Sequence, residues 1–239
     1  MPDEPGVPDT PDTPDTPDTP VTPGVPGVPV APTTPENPGE PESTEGDKVD
    51  VFEDLQQIFA ENSNIWWHDA VEYVIGNDLM NGVADDEFAP YATTTRAMLV
   101  TILWRQAGSP IVKTDMPFED VAADTWYTEA VRWAAAKGIV DGMTDTEFAP
   151  DAKITREQMV TIFYRYAKYK GVNVTPRNAH LFNKFSDTEE ISSWAYDAMK
   201  WACGIRFVDG KENNNLDPTG NATRVEMAAL IMRFIEYVL

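Results

Sequence analysis

The segment DTEFAPDAKITR, residues 145–156, decides the fold of this chain because the chain contains it three times. Its two variants are DDEFAPYATTTR at residues 85–96 and NNNLDPTGNATR at residues 213–224. All three end in Thr-Arg, and all three carry a proline five residues before that threonine. Such self-similarity is typical of repeat architectures, in which each unit buries its apolar face against its neighbours.

The matching register extends outward from this segment, back to a tryptophan that precedes it. Copies one and two are offset by 60 residues, and copies two and three by 68, with the extra residues in KGVNVTPRNAHLFNKFS at residues 170–186. The equivalent positions are Trp66, Trp126 and Trp194; Ala70, Ala130 and Ala198; Gly82, Gly142 and Gly210; and Arg96, Arg156 and Arg224. The resulting divisions are an N-terminal segment at 1–50 and repeats at 51–108, 109–171 and 172–239.

Each repeat has the pattern of two helices joined by a loop. In repeat two, apolar residues at helical spacing run from Trp126 to Ala134, and Gly138 predicts the end of that helix. A second helix is predicted after Thr155, with its apolar stripe at Met159, Ile162, Phe163 and Tyr166. We therefore predict an all-α fold in which the three second helices form a central bundle with approximate threefold symmetry.

The Thr-Arg dipeptide marks the start of each second helix. Thr155 and Thr223 stand at N-cap positions, and Gln158 and Glu226 follow three residues later, which predicts two capping boxes. Repeat one has Met98 at that place, so its box is half made.

Capping does not explain the arginine. A cation in the first helical turn opposes the helix dipole, yet all three repeats place one there. One explanation is an anion site, in which the guanidinium acts with the free amides of the helix end. The other is that each arginine pairs with a nearby acid such as Asp120 or Asp187, or with a neighbouring repeat.

Residues 118–171, which begin FEDVAADTWYTEAV and close on the Thr-Arg helix, resemble an S-layer homology (SLH) repeat. The family pattern runs from Phe-x-Asp-Val through a Trp and a Gly-Ile-x-x-Gly turn to Phe-x-Pro and Ile-Thr-Arg-Ala-Glu. Repeats two and three match it well, and repeat one matches it from Trp66 onward. The resemblance covers residues 52–239.

The resemblance implies a three-pronged pseudo-trimer that anchors a secreted protein to the bacterial envelope without a covalent bond. The implied ligand is a secondary polysaccharide linked to peptidoglycan, often bearing pyruvate, held in grooves between the prongs. The implied binding residues are Arg96, Arg156, Arg224, Asp120, Asp187, Trp66, Trp126, Trp194, Gly82, Gly142 and Gly210. Because Met98 replaces the motif glutamate, Arg96 is expected to contribute less than the other two arginines.

Several of these positions have a purely structural alternative. The tryptophans are explained as well by core packing, and the glycines by turns with positive φ. Asp54 lies twelve residues before Trp66, whereas Asp120 lies six before Trp126, because QQIFAENSN is inserted in repeat one. We therefore leave Asp54 out of the predicted site.

Prolines dominate residues 1–50, recurring at nearly every third position up to Pro41. This period gives one continuous proline stripe along a polyproline II helix, and the composition is equally typical of disorder. Both interpretations predict a spacer. Threonines beside prolines are also a compositional signal for sugar attachment.

Composition excludes several classes of function. The formal charge of −22 argues against nucleic-acid binding. His68 and His180 occupy non-equivalent places, and Cys203 is expected to be a small buried apolar residue, so no enzyme is predicted. The acidic loops lack the spacing of an EF-hand, so no metal and no cofactor are predicted. The alternative function is a helical-repeat module that binds another protein through an exposed apolar groove.

The location is expected to be extracellular, at the cell wall. No apolar run reaches the ~20 residues of a membrane-spanning helix. The beginning MPDEPGVPDT has neither the basic nor the apolar region of a signal peptide, so the sequence is expected to be a fragment or a mature portion, without its cargo domain.

Overall fold

Eight α-helices and two short 3-10 turns are formed by residues 48–239, which are the residues that the computed structural model describes. The helices are α1 (Glu53–Glu61), α2 (His68–Gly76), α3 (Arg96–Gln106), α4 (Thr128–Ala136), α5 (Arg156–Tyr169), α6 (Ala179–Phe182), α7 (Tyr196–Gly204) and α8 (Arg224–Tyr237). The 3-10 turns are Thr188–Glu190 and Glu212–Asn214. This part of the chain contains isolated β-bridges but no β-strand, so the predicted all-α fold is confirmed. The predicted spacer lies almost entirely outside the described residues.

The second helix of each repeat begins at its Thr-Arg dipeptide, as predicted. Thr155 and Thr223 each accept the N–H of the residue three positions on, and the side chain of that residue returns to the cap amide. Thr95 accepts the Met98 N–H at 3.3 Å without a returning bond. The two capping boxes and the half-made box are therefore confirmed.

The first helix of each repeat begins later than the sequence predicts. In repeat two, α4 starts at Thr128, and Tyr127 is buried while Trp126 is 55 % exposed. Trp66 and Trp194 are likewise 63 % and 53 % exposed. The core-packing interpretation of these tryptophans is therefore wrong, because the residue after each tryptophan enters the core in its place.

The second helices α3, α5 and α8 supply the centre of the core. The first three members of each apolar stripe are buried: Leu99, Ile102 and Leu103; Met159, Ile162 and Phe163; and Met227, Leu230 and Ile231. The rings of Phe163 and Phe234 pack 5.0 Å apart, joining α5 to α8. Each second helix also packs against the first helix of the next repeat: α3 on α4, α5 on α7, and α8 on α2. This closed cycle confirms the approximate threefold arrangement.

A ring of three backbone hydrogen bonds closes the cycle at the N-terminal ends of these helices. The N–H of Thr94 donates to the Ala222 carbonyl (3.0 Å), that of Ala222 to Ile154 (2.9 Å), and that of Ile154 back to Thr94 (3.0 Å). All three residues have no exposed surface. The three repeats therefore meet on one axis, two residues before their arginines.

An aspartate holds the loop between the two helices of each repeat. Both oxygens of Asp120 accept backbone N–H groups, from Phe148 at 2.8 Å and Ala149 at 2.6 Å. Asp187 does the same for Leu216 and Asp217.

Asp54 is the missing member of this set. Its carboxylate accepts the Phe88 N–H at 3.0 Å and the Ala89 N–H at 2.7 Å. The insertion after it is absorbed by α1, and Phe59 packs on the rings of Trp67 and His68. The decision to leave Asp54 outside the equivalent set was therefore wrong, because sequence separation from Trp66 does not measure distance in space.

We predict that Asp54→Asn lowers the free energy of unfolding by about 2 kcal/mol, as much as Asp120→Asn. An amide has one acceptor oxygen, so one loop N–H faces an NH₂ group and loses its charge-assisted bond. Urea denaturation measures the change, and Asp50→Asn, at an exposed position, is the matched control. Equal stability of Asp54→Asn and Asp50→Asn would contradict the assignment.

Candidate functional site

Arg96 and Arg224 fasten their own repeat to the loop of the next one. Arg96 donates from Nε to the Phe148 carbonyl at 2.8 Å and from Nη2 to the Asp141 carbonyl at 2.9 Å. Its guanidinium lies 4.6 Å from the centre of the Phe148 ring. Arg224 repeats this arrangement on repeat one: its donors reach the carbonyls of Phe88 and Asn81 at 2.7 and 2.6 Å, and it lies over the Phe88 ring.

Arg156 makes the same connection with different neighbours. It donates from Nε to the Leu216 carbonyl at 2.7 Å and approaches the Asp209 carbonyl at 3.5 Å. Leu216 replaces the phenylalanine, and Glu226 places Oε1 3.0 Å from Nη1 of Arg156. Among the three arginines, only Arg156 has an ion pair within the described residues. The pairing with neighbouring repeats is confirmed, but Asp120 and Asp187 are not the partners, since their oxygens hold loop amides.

The helix-end amides beside these arginines are already hydrogen-bonded. The N–H groups of Arg96 and Ala97 donate to the carbonyls of Ala152 and Pro150, at 3.1 and 3.0 Å. Corresponding bonds run from α5 to repeat three and from α8 to repeat one. The expected help of free amides in binding an anion is therefore wrong, because the neighbouring repeat uses them.

The three loop glycines are required by close packing. Positive φ values occur at Gly108, Gly138 and Gly171 but not at Gly82, Gly142 or Gly210, so the positive-φ interpretation is wrong. A Cβ on Gly142 would overlap the carbonyl oxygen of Thr144, and one on Gly82 would overlap that of Ala84.

Two cavities lie at the junctions that the arginines make. The Arg156 groove, of about 930 Å³, contains Arg156, the repeat-three loop with Gly210, and Trp66 at its edge. The Arg96 groove, of about 290 Å³, contains Arg96, the repeat-two loop with Gly142, and Trp194. Each groove thus combines an arginine from one repeat, a loop from the next and a tryptophan from the third. Trp126 and Gly82 line neither of these two cavities.

The two grooves differ in charge. The Arg96 groove contains Arg96 and Arg165 against Asp141, which lies 2.5 Å from Arg165. The Arg156 groove contains three basic residues against six acidic ones. Its basic residues are Arg156, Lys211 and Arg233, and its acidic residues are Asp187, Glu190, Asp209, Glu212, Asp217 and Glu226. The smaller groove therefore carries the more positive lining.

Burial acts on the groove arginines themselves. It lowers the pKa of the Arg96 guanidinium to about 10, although Asp120 opposes the change. Burial likewise lowers the pKa of Arg224. Arg96 therefore stays charged at neutral pH, in a site where little water screens its charge.

Three groove residues were missed by the sequence analysis: Arg165, Lys211 and Arg233. Arg165 and Arg233 lie nine residues after Arg156 and Arg224, on the same helices. Their equivalent spacing in two repeats was a signal that could have found them.

Comparison with known proteins follows the same divisions. The family model for the S-layer homology domain matches residues 63–97, 117–160 and 184–228. The chain belongs to the S-layer homology domain family. Within the described residues, no helix is both long and apolar enough to span a membrane.

Similar proteins include both surface proteins and enzymes. The chain is 31 % identical over 182 residues to an amylopullulanase of Thermoanaerobacterium thermosulfurigenes, covering 74 % of this chain and 9 % of that protein. It is 30 % identical over 173 residues to a surface-layer 125 kDa protein of Lysinibacillus sphaericus, covering 71 % and 14 %. It is 23 % identical over 161 residues to a cellulosome-anchoring protein of Acetivibrio thermocellus, covering 66 % and 35 %. The chain therefore spans a small part of these relatives.

We predict that Arg224→Ala lowers the free energy of unfolding by about 3 kcal/mol, because two carbonyls of repeat one lose charged donors in a buried place. Arg224→Lys should recover only part of this, since an ammonium lacks the planar fork. Thermal and urea unfolding measure both variants. Arg105→Ala, at an exposed position, is the control and should stay within about 0.5 kcal/mol of wild type. If Arg224→Ala matched this control, the fastening role would be excluded.

Proposed function

We propose that this chain anchors a protein to the bacterial cell envelope by binding an anionic, pyruvylated secondary polysaccharide linked to peptidoglycan. The observation that carries the proposal is the composition of the two grooves, each of which joins a buried guanidinium to a largely exposed tryptophan. An exposed indole ring offers a flat apolar face to the C–H groups of a sugar, and a guanidinium offers a fork to a carboxylate.

Attraction for an anionic ligand has to be local. The chain as a whole carries −22 and repels a negative polymer. The Arg96 groove reverses this sign in its own lining, with two arginines against one aspartate. In the hydrogen bonds of Arg96, Nε and Nη2 hold loop carbonyls, which leaves Nη1 to meet a ligand carboxylate.

The order in which the grooves contribute stays a prediction. Charge favours the Arg96 groove, because Glu226 already pairs with Arg156 in the other. Volume favours the Arg156 groove, which accommodates more of a polysaccharide. The remaining proposed binding positions act on the shape of the site: Asp120 and Asp187 hold the loops, and Gly142 and Gly210 keep them close to the arginines.

The described residues favour binding over catalysis. His68 lies on α2 beside Asp69 and Glu72, while His180 lies on α6, so the two histidines do not form one site. The thiol of Cys203 is buried, and burial raises its pKa to about 12, so it stays protonated. Relatives with enzyme names are matched over a small part of their length.

The anchoring proposal agrees with what the relatives are called. They include a surface-layer protein, an S-layer protein and a cellulosome-anchoring protein. We propose a location at the cell wall, with residues 1–50 as a spacer between the repeats and a cargo domain outside this sequence.

We expect Trp194→Ala and Trp66→Ala each to weaken binding of a pyruvylated disaccharide, by about five- to tenfold, because the stacking face is lost. Both side chains are more than half exposed, so the thermal midpoint should stay unchanged. Calorimetry with the purified disaccharide measures the affinity, and the relative losses rank the two grooves. The matched control is Ile111→Ala, which removes a side chain that is 78 % exposed and lines neither groove.

Unchanged affinity in both tryptophan variants would exclude the grooves as the site. A second measurement separates sugar binding from protein binding. The chain should sediment with purified cell walls and should stay in solution once the secondary polymer has been extracted from them. Sedimentation with extracted walls would favour a protein partner instead.

A further inference from the structure

A third cavity, of about 560 Å³, lies beside the C-terminal ends of α7 and α8, and its lining is basic. It contains Arg177, Arg206 and Arg233, and none of its described lining residues is an aspartate or a glutamate. Trp201, Phe207 and Tyr237 supply aromatic surface around these arginines. The whole chain has only 18 basic residues against 40 acidic ones, so three arginines without an acid among the lining residues call for an explanation.

Arg206 occupies a backbone position that favours glycine. Its φ is 60°, in the left-handed region. The equivalent residue that follows α4 in repeat two is Gly138, with φ 65°. A non-glycine residue there costs about 1 kcal/mol. The helix cap itself needs only backbone groups, namely the Arg206 N–H on the Cys203 carbonyl at 3.1 Å, so the cap does not explain the arginine.

Arg177 comes from the eight-residue insertion that distinguishes repeat three. The insertion is fixed to the end of α7, because Asn178 donates from Nδ2 to the Gly204 carbonyl at 3.1 Å. A Cβ on Gly204 would overlap the Arg177 carbonyl, so the two segments are in direct contact. The insertion therefore places Arg177 next to the helix end that carries Arg206.

Arg233 connects this cavity with the Arg156 groove, since it lines both. Its guanidinium lies 3.1 Å from Asp209, on the groove side, where Asp209 is also a lining residue. Neither Arg177 nor Arg206 forms an ion pair with any described residue. The two cavities are adjacent, and the far one has unneutralised positive charge.

We propose that this cavity is a second anion subsite for the wall polymer, which binds a carboxylate or phosphate on a sugar next to the one in the Arg156 groove. The inference rests on the proposed function. Planar guanidinium groups match both oxyanions, and the aromatic surface suits the C–H face of a sugar. A polymer that leaves the acidic end of the Arg156 groove would thus meet positive charge at Arg206 and Arg177.

Arg206→Gly is the decisive variant because it removes the charge and also relieves the left-handed strain. We expect its thermal midpoint to equal or exceed that of wild type, while its affinity for wall polymer released from peptidoglycan falls about tenfold. Arg177→Ala should weaken binding similarly. The matched control is Arg105→Ala, which makes the same change in net charge at an exposed position outside all three cavities.

The outcomes separate this inference from the proposed function. If Arg206→Gly and Arg177→Ala bound the polymer as tightly as Arg105→Ala while Trp66→Ala or Trp194→Ala lost affinity, the second subsite would be overturned and the anchoring proposal would stand. If wild type did not bind the polymer, the anchoring proposal and this inference would both fall.

A titration with small anions identifies the group that is bound. Inorganic phosphate and pyruvate are added separately, and the side-chain Nε–H resonances of Arg177 and Arg206 are followed by NMR. We expect saturable shifts with one of the two anions, lost in Arg206→Gly, which assigns phosphate or carboxylate. Shifts with neither anion would overturn the subsite.

Discussion

The three backbone hydrogen bonds between Thr94, Ile154 and Ala222 are the constraint on which the rest of the structure depends. Each of these residues donates to one repeat and accepts from the other, in a place without water. A repeat taken alone would leave a buried donor and a buried acceptor unpaired, which costs more than the bond itself contributes. Three copies close the ring without an open end. This is a physical reason why one chain contains the loop three times.

The arginines extend the same logic outward from the axis. Each one follows the ring by two residues and satisfies loop carbonyls of the next repeat, so the prongs are fastened to one another at the points where the grooves form. The guanidinium in the first helical turn opposes the helix dipole, but its bonds to buried carbonyls outweigh that modest cost. A residue in the fastening of the fold is thereby also presented to a ligand, with its charge held in a poorly hydrated groove.

Repeats that share one backbone plan have diverged in the chemistry of their junctions. Repeat three supplies Leu216 and Glu226 to Arg156, and so that arginine is neutralised in a wide, acidic groove. Repeat two supplies Phe148 and Gln158 to Arg96, and that arginine lies in a small, basic one. The threefold symmetry of the fold therefore does not imply three equal sites. Differences of one or two side chains at each junction decide which groove suits an anion.

The sequence by itself determined the repeats, the helix starts at Thr95, Thr155 and Thr223, and the apolar stripes of the central helices, because these follow from local periodicity and capping. It identified most of the groove residues only as equivalent positions. Tertiary structure decided that the helix-end amides are used by a neighbouring repeat, that Trp126 faces solvent while Tyr127 is buried, and that Asp54 holds the loop of repeat one as Asp120 holds that of repeat two. These outcomes depend on which repeat lies next to which in space, and separation along the chain does not contain that information.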